Sequence, residues 1–162
     1  MSMRHPKPSN EDAAFMRDAM AEAMLAGSQD EVPVGAVVVL DGKIIGRGHN
    51  QPIASNDPTA HAEILAIREA ARNVGAYRLP GAILYVTLEP CVMCVGAAVH
   101  ARIAAIKYGA RDEKAGALGS VYDIGRDGLL NHRIEVISAL MEDECAAMLR
   151  DFFKQRRRRS AE

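Results

Sequence analysis

Residues 32–50 read VPVGAVVVLDGKIIGRGHN. Two apolar, β-branched runs flank Asp41-Gly42. An Asp-Gly pair between such runs suits the two-residue turn of a hairpin, whose central residues both need positive φ. This stretch therefore predicts an antiparallel pair of strands. Upstream, Asn10 to about Ser28 reads as a helix, with Asn10 as its cap and Glu11 and Asp12 at its positive end. Phe15, Ala19, Met20, Ala23 and Met24 recur there at helical spacing, and Gly27 is near the stop. Downstream, His61–Val74 predicts a second helix with Ile64, Leu65 and Ile67 inward and Gly75 past its end. Residues 82–88, AILYVTL, read as a strand. Pro90 then opens a third helix, to about His100, because proline suits the first helical position. A strand at 103–109, a glycine-rich loop ARDEKAGALGS, a short strand at about Ile134–Ile137 and a final helix from about Glu142 complete the chain. A helix, a hairpin and then alternating helices and strands predict an α/β protein. The expected architecture is a three-layer α/β/α sandwich on a central mixed five-stranded sheet, since crossovers favour parallel pairing beyond the hairpin.

The bulk properties agree with one domain over 1–162. The chain has 162 residues, 49% of them hydrophobic. That suffices for one core and not for two comfortable ones. There is no internal repeat, no apolar run long enough for a membrane span and no secretory leader in MSMRHPKPSNEDAAF, so the expected compartment is the cytoplasm. Three cysteines under those conditions do not form a disulfide framework. The net charge of −1 hides a segregation. The tail 154–162 holds Lys154 and Arg156 to Arg159 against Glu162, about +4, which leaves about −5 for the remainder. Such a tail suits phosphate contact or simple solubilisation.

Two short stretches carry the chemistry. TAHAEILA, 59–66, places His61 two residues before Glu63. LEPCVMCV, 88–95, places Cys91 three before Cys94, straight after Pro90. A Cys-x-x-Cys pair at a helix start puts two sulfurs on one side of one turn, where free N–H groups favour thiolate. Alone it reads as a redox dithiol, half of a four-cysteine structural zinc site, a metal pair or two small core residues. His61 supplies a third ligand type. Three protein ligands leave a fourth place for water, the catalytic arrangement, whereas a structural site needs a fourth ligand. His5, His49, His100 and His132 are the candidates for that, and none has ligand spacing to the other three. Cys145, in the helical pattern MEDECAAMLRDFF, reads as core. Residues two apart on a helix point to different sides, so His61 and Glu63 can face one ion only if His61 stands at or before the helix start. Asp57, Pro58 and Thr59 are boundary residues that support this. Two helix N-termini are thus expected to converge on one point.

HAE followed by PCVMC resembles the zinc-dependent nucleoside and nucleobase deaminases, the cytidine-deaminase-like superfamily. EVPVGAVVV, GHNQPI, DPTAHAEILAIREA, LYVTLEPCVMCVGAAVHARI, YGARDEKAGALGS and NHRIEV narrow the resemblance to the family of bacterial tRNA-specific adenosine deaminases, over about Phe15 to Arg157. The resemblance implies hydrolytic deamination of the wobble adenosine of an arginine tRNA to inosine, releasing ammonia. It implies that His61, Cys91 and Cys94 hold Zn²⁺, one per subunit, and that Glu63 is the catalytic proton shuttle. Asn50 would hydrogen-bond the flipped base, and Val34 and Leu88 would line a slot beside it. Asp112 and Lys114, then Asn131 with His132, would meet the anticodon stem-loop, with Phe153 and the arginines after it along the RNA. It further implies a homodimer, for which CVGAAVHARI offers small interface residues. Plain structural readings stand beside these: turn chemistry for Asn50, a loop cap for Asp112, and core packing for Val34, Leu88 and Phe153. The segment IGRDGLL, 124–130, departs from a His-rich, proline-containing stretch common in the family, and His49 stands where an aromatic is common. Two other functions share the zinc motif: deamination of a free base or nucleoside, and a zinc-stabilised RNA-binding module without turnover.

Overall fold

The computed structural model describes residues 8–162. It contains α1 (Asn10–Ser28), β1 (Gly35–Leu40), β2 (Lys43–His49), α2 (Ala62–Val74), β3 (Ile83–Leu88), α3 (Val92–His100), β4 (Ala105–Ala110), β5 (Glu135–Ile137) and α4 (Glu142–Ser160). The five strands form one sheet in the order β2-β1-β3-β4-β5. β1 pairs antiparallel with both β2 and β3, while β3–β4 and β4–β5 are parallel. The mixed sheet and its layers are those expected. The Asp41-Gly42 turn has φ of 50° and 75°, as a turn matching the right-handed twist of the strands requires. The register slips between Val38 and Val39, a bulge that reading the alternation did not anticipate.

Alternation along the strands builds two cores. Val38, Leu84, Val86 and Ile106 face α2 and α3, where they meet Ala66, Ile67, Val95 and Val99. Val37, Val39 and Tyr85 face α1 and α4, where they meet Met16, Ala19 and Cys145. Cys145 is 1% exposed, so it is a core residue as expected. α1 is tied to the sheet by charge as well. Asp12 accepts from the Tyr85 hydroxyl at 2.6 Å and from Lys107 Nζ at 2.9 Å. Burial opposes the Asp12 charge, but these two donors outweigh it and hold the carboxyl below its ordinary range.

Several boundaries differ from expectation for physical reasons. Ser9, not Asn10, caps α1: its hydroxyl accepts from the Asp12 N–H at 3.0 Å. Met24 is 67% exposed, and Met16 takes the core position assigned to it. The inward face of α1 is the row Met16, Ala19, Ala23 and Ala26, so small residues let the helix lie close to the sheet. Leu65 is half-buried, whereas Ile64 and Ile67 point inward. Pro90 does not begin α3. Cys91 is the N-cap, extended at φ −78° and ψ 175°, and Pro90 precedes it as a buried link from β3. The basic tail is not frayed, since α4 carries it as helix to Ser160. His5 lies outside the described residues.

The hairpin positions α2. Gly46 and Gly48 on β2 face the helix so closely that a Cβ on either would fall inside the van der Waals shell of the Ala66 or Ala62 carbonyl. Gly48 meets the first turn of α2, which carries Glu63. Gly48→Ala is expected to destabilise the fold by about 1–3 kcal/mol, read as a lower urea midpoint with an unchanged m-value.

Candidate active site

Two helix N-termini meet where the metal ligands were expected. His61 is the N-cap of α2, extended at φ −77° and ψ 152°, and Cys91 is the N-cap of α3. Neither makes a side-chain capping bond. Their side chains turn toward each other instead. His61 Nδ1 stands 3.6 Å from Cys91 Sγ and 3.6 Å from Cys94 Sγ, and the two sulfurs are 3.8 Å apart. A tetrahedral ion with bonds of about 2.3 Å to sulfur and 2.0–2.1 Å to nitrogen would need edges of about 3.8 Å and 3.5–3.6 Å. The triangle fits such an ion. Among the described residues this is the one group of His, Cys, Asp and Glu whose ligand atoms lie that close. His49, His100 and His132 stand outside it, so no fourth protein ligand joins.

The electrostatics of the trio point the same way. The Cys91 thiol is pushed down to about 4, first by a hydrogen bond from Cys94 and then by His61, against burial. Cys94 is pushed up, first by that same bond to Cys91 and then by burial. One proton thus leaves easily and the second is held, and a dication among the three atoms would release it. The His61 pKa is raised by its bond to Cys91, against burial, and by the nearby Glu63 charge. Glu63 is 4% exposed in the first turn of α2. Burial raises its carboxyl above the ordinary range, more than its own backbone N–H, Cys94 and His61 lower it.

The other sequence-predicted residues fall into three groups. Asn50, at the end of β2, accepts the Ala62 N–H on Oδ1 at 2.9 Å. It caps α2 from a distance because His61 does not, and its amide NH₂ is the end left to donate. Val34 is buried and Leu88 half-buried, both packed in the α2–α3 core. Leu88 also lines a cleft of about 740 Å³ with Asp112, Lys114, Leu149 and Phe153. Asp112 caps its own turn, with Oδ1 accepting from the Lys114 and Ala115 N–H groups at 3.0 and 3.1 Å. Phe153 is 41% exposed on α4 and packs edge-on against Phe152. Asn131 and His132 do not join this cleft. His132 Nε2–H donates to the Ile103 carbonyl at 2.7 Å, beyond the start of β4, while Asp112 follows its end. Asn131 is exposed beside Arg102.

Two buried acids escaped the sequence reading. Glu31 is 1% exposed and accepts the Ile53 and Ala54 N–H groups, at 3.2 and 2.8 Å, in the loop between Asn50 and His61. Glu89 is 2% exposed and accepts from the Asp112, Leu118 and Ser120 N–H groups and from the Ser120 hydroxyl. Burying an ionised carboxylate costs several kcal/mol. Hydrogen bonds to a charge return roughly 1.5–3 kcal/mol each, so donors in this number offset the cost. A lone acid among apolar residues, as in LEPC, was the available signal. The divergent 124–130 segment also has a structural account: Arg126 pairs with Asp123 at 2.9 Å and donates Nη2–H to the Leu118 carbonyl at 3.2 Å. His49 Nδ1 meets Glu22 at 3.1 Å in a half-buried pair.

A family profile described as MafB19-like deaminase matches residues 10–157. A tRNA-specific adenosine deaminase of Bacillus subtilis (strain 168) is 44% identical, over 92% of this chain and 92% of that protein. One of Agrobacterium fabrum is 50% identical, over 88% and 94%. The chain belongs to the tRNA-specific adenosine deaminase family. It is an enzyme, a hydrolytic deaminase. A chain solved in a study of A-to-I editing by tRNA:A34 deaminases at the wobble position of transfer RNA superposes with a TM-score of 0.81 at 50% identity, covering 84% of this chain and 99% of that one. The fold extends to a guanine deaminase from Nitrosomonas europaea, 27% identical with a TM-score of 0.74 over 92% and 86%. No helix among the described residues is long and apolar enough to cross a membrane.

Removal of metal by a chelator is expected to lower the melting temperature, and added Zn²⁺ to restore it in a concentration-dependent way. His61→Ala and Cys94→Ala should abolish that dependence in a thermal melt. A wild-type response in both variants would mean that the ion binds elsewhere.

Proposed function

We propose that this chain deaminates the wobble adenosine of an arginine tRNA anticodon, consuming one water and releasing ammonia to leave inosine. His61, Cys91 and Cys94 would hold one Zn²⁺ per subunit. When bound, the ion supplies the Lewis acidity that activates water at neutral pH. Two thiolates weaken that acidity, and the positive ends of α2 and α3 restore part of it.

The chain's own residues do the rest. Glu63, buried beside the trio, takes the proton of the attacking water and passes it to N1 of the base as C6 becomes tetrahedral. As C6=O forms and the C6–N bond breaks, Glu63 takes the remaining hydroxyl proton and delivers it to the departing amine, which leaves as ammonia. Asn50 serves two partners: Oδ1 holds the start of α2, and the amide NH₂ donates to the flipped base. Val34 and Leu88 flank the ring and exclude water. Base flipping is needed because C6 is out of reach in a stacked loop.

One observation carries the choice of RNA over a free base. The cleft at Leu88 carries both signs of charge, Arg111 and Lys114 with Asp112, Glu113 and Glu142, but past Phe153 the wall of α4 is mainly basic, with Arg150, Lys154 and Arg157 against Asp151. A free base needs no such basic border, whereas an anticodon backbone does. The relatives named tRNA-specific adenosine deaminases support adenosine as the base. Asp112 and Lys114 meet the loop near the reacting base, with Phe153 and the α4 arginines along the backbone. Asn131 and His132 sit at the opposite end of β4 from Asp112. A homodimer would let a second subunit bring them to the same RNA. The outward side of α3 offers Val92, 47% exposed, and the half-buried Gly96 and Ala97 for that contact. The whole chain is one deaminase domain whose basic segment 154–162 serves the RNA, working in the cytoplasm.

The rival is deamination of a free purine, which the guanine deaminase among the fold neighbours favours. Inosine formation on an arginine-tRNA anticodon stem-loop, with free adenosine and guanine in parallel, decides between them. Conversion of the RNA alone is expected. Conversion of guanine alone would overturn the proposal. Glu63→Gln is expected to lower turnover by about 10²–10⁴-fold while bound zinc stays unchanged. Full activity in that variant would remove Glu63 as the shuttle.

A further inference from the structure

We propose that Glu89 is a positioning residue that sets the 111–120 loop in register with the Cys91 end of the metal trio. The inference rests on the RNA-deaminase reading, because its consequence is how the loop meets a substrate larger than the reacting base.

Glu89 follows the last residue of β3 and stands two before Cys91. Its N–H donates to the Ala110 carbonyl at 2.8 Å, which extends the β3–β4 pairing past the strand end. Its carboxylate gathers the loop from both sides. Oε1 accepts from the Asp112 N–H at 3.3 Å and from the Ser120 hydroxyl. Oε2 accepts from the Leu118 and Ser120 N–H groups at 3.1 and 3.2 Å. The next carbonyl, of Pro90, accepts the Ala117 N–H at 2.8 Å. Gly116 backs onto the carboxylate so closely that a Cβ would overlap Oε2. Arg126 closes the far side through the Leu118 carbonyl. Leu118 is therefore held at both its N–H and its C=O.

The Glu89-Pro90 pair works as an adaptor. On one side it continues into the ligand Cys91. On the other it holds the loop whose Asp112 and Lys114 line the cleft with Leu88 and Phe153. Both carboxylate oxygens accept, so the site needs an acid. A glutamine would turn its NH₂ against one pair of donors and lose half of the bonds. Glu89 touches neither the trio nor the cleft surface in this scheme. It acts through the loop, and its effect belongs in substrate binding and not in the chemical step.

The test uses the zinc-loaded full chain as wild type, Glu89→Gln and Ser120→Ala, turning over the anticodon stem-loop. Glu89→Gln is expected to raise KM about tenfold and Ser120→Ala about threefold, with kcat within about twofold and zinc content unchanged. Amide exchange at Leu118 should speed up about tenfold in Glu89→Gln. An unchanged KM with faster exchange would overturn the proposal, since the loop would be anchored without consequence. A fall in kcat with loss of zinc would also overturn it, since Glu89 would then act on Cys91. Ser120→Ala carries the same test if Glu89→Gln does not fold, for it removes one loop donor and leaves the buried acid. If the wild type converts no stem-loop, the functional reading itself fails. Exchange at Leu118 and Ser120 then still decides the anchor, and wild-type rates in Glu89→Gln would refute it.

Discussion

Three ligand atoms within 3.8 Å of one another are the constraint on which the site depends. Two sulfurs and an imidazole at that spacing repel once both thiols ionise, unless a cation stands between them. The fold accepts this through two helix N-termini, whose N–H groups favour negative charge. The arrangement has a local cost. A helix start normally gains from a side-chain cap, but the cap residues of α2 and α3 are His61 and Cys91, and neither caps its helix; their side chains turn toward each other instead. Asn50 restores the lost bond for α2 by reaching across from β2 to the Ala62 N–H. The ligand geometry and the Asn50 position are thus one problem with one solution. A structural role for Asn50 and a role on the base use opposite ends of the same amide.

The sheet supplies the rigidity this needs. The glycines of β2 let α2 rest almost on the strand backbone, and a helix seated on main chain has few side-chain degrees of freedom through which to shift. The parallel β3–β4 pair fixes the other half. Its C-terminal ends deliver Leu88 and Ala110 side by side, and Glu89 carries the register one step further into the loop. Two buried acids hold the loops at this end of the sheet, Glu31 the loop after Asn50 and Glu89 the loop after β4. Glu31 is compensated by two main-chain N–H donors, and Glu89 by three with the Ser120 hydroxyl. Such a carboxylate is unforgiving of loop movement, because each lost donor leaves charge unpaired.

What could be read in the sequence follows from how local the signal is. The hairpin was legible because Asp41-Gly42 and its flanking runs are contiguous. The trio was legible because metal ligands of the right type at the right spacing are scarce in a chain with three cysteines. The requirement that His61 precede its helix came from helical geometry alone. The failures were of other kinds. Ser9 and Asn10 are both good caps, and neighbouring candidates cannot be ranked without the backbone angles. Met16 lies on the face shared with Ala19, Ala23 and Ala26, whereas Met24, eight residues on, is turned away from that face and exposed although Ala23 and Ala26 beside it are buried. Pro90 suited a first helical turn, but the extended backbone at Cys91 that aims its sulfur displaced the helix start. Glu31 and Glu89 recognise amides 22 to 31 residues away, and an amide has no residue type for a sequence to display.

The basic tail illustrates the same limit in electrostatic form. Its charge was plain from composition, yet composition left phosphate contact and a solubilising end equally open. α4 removes part of that ambiguity. Its first turn carries Glu142, Asp143 and Glu144 and its last turn Arg157, Arg158 and Arg159. Both ends complement the helix dipole. The arginines therefore stabilise the helix that displays them, and a helix spaces them on fixed faces. Arg156 stacks on Phe152 and Arg159 pairs with Asp30 beside the end of α1, while Arg157 lies with Phe153 and Lys154 on the Lys114 side. The exposed Arg159–Asp30 pair contributes little stability by itself. It does show direction: Arg159 faces Asp30 on the body of the protein, while Arg157 lies on the Lys114 side beside the cleft.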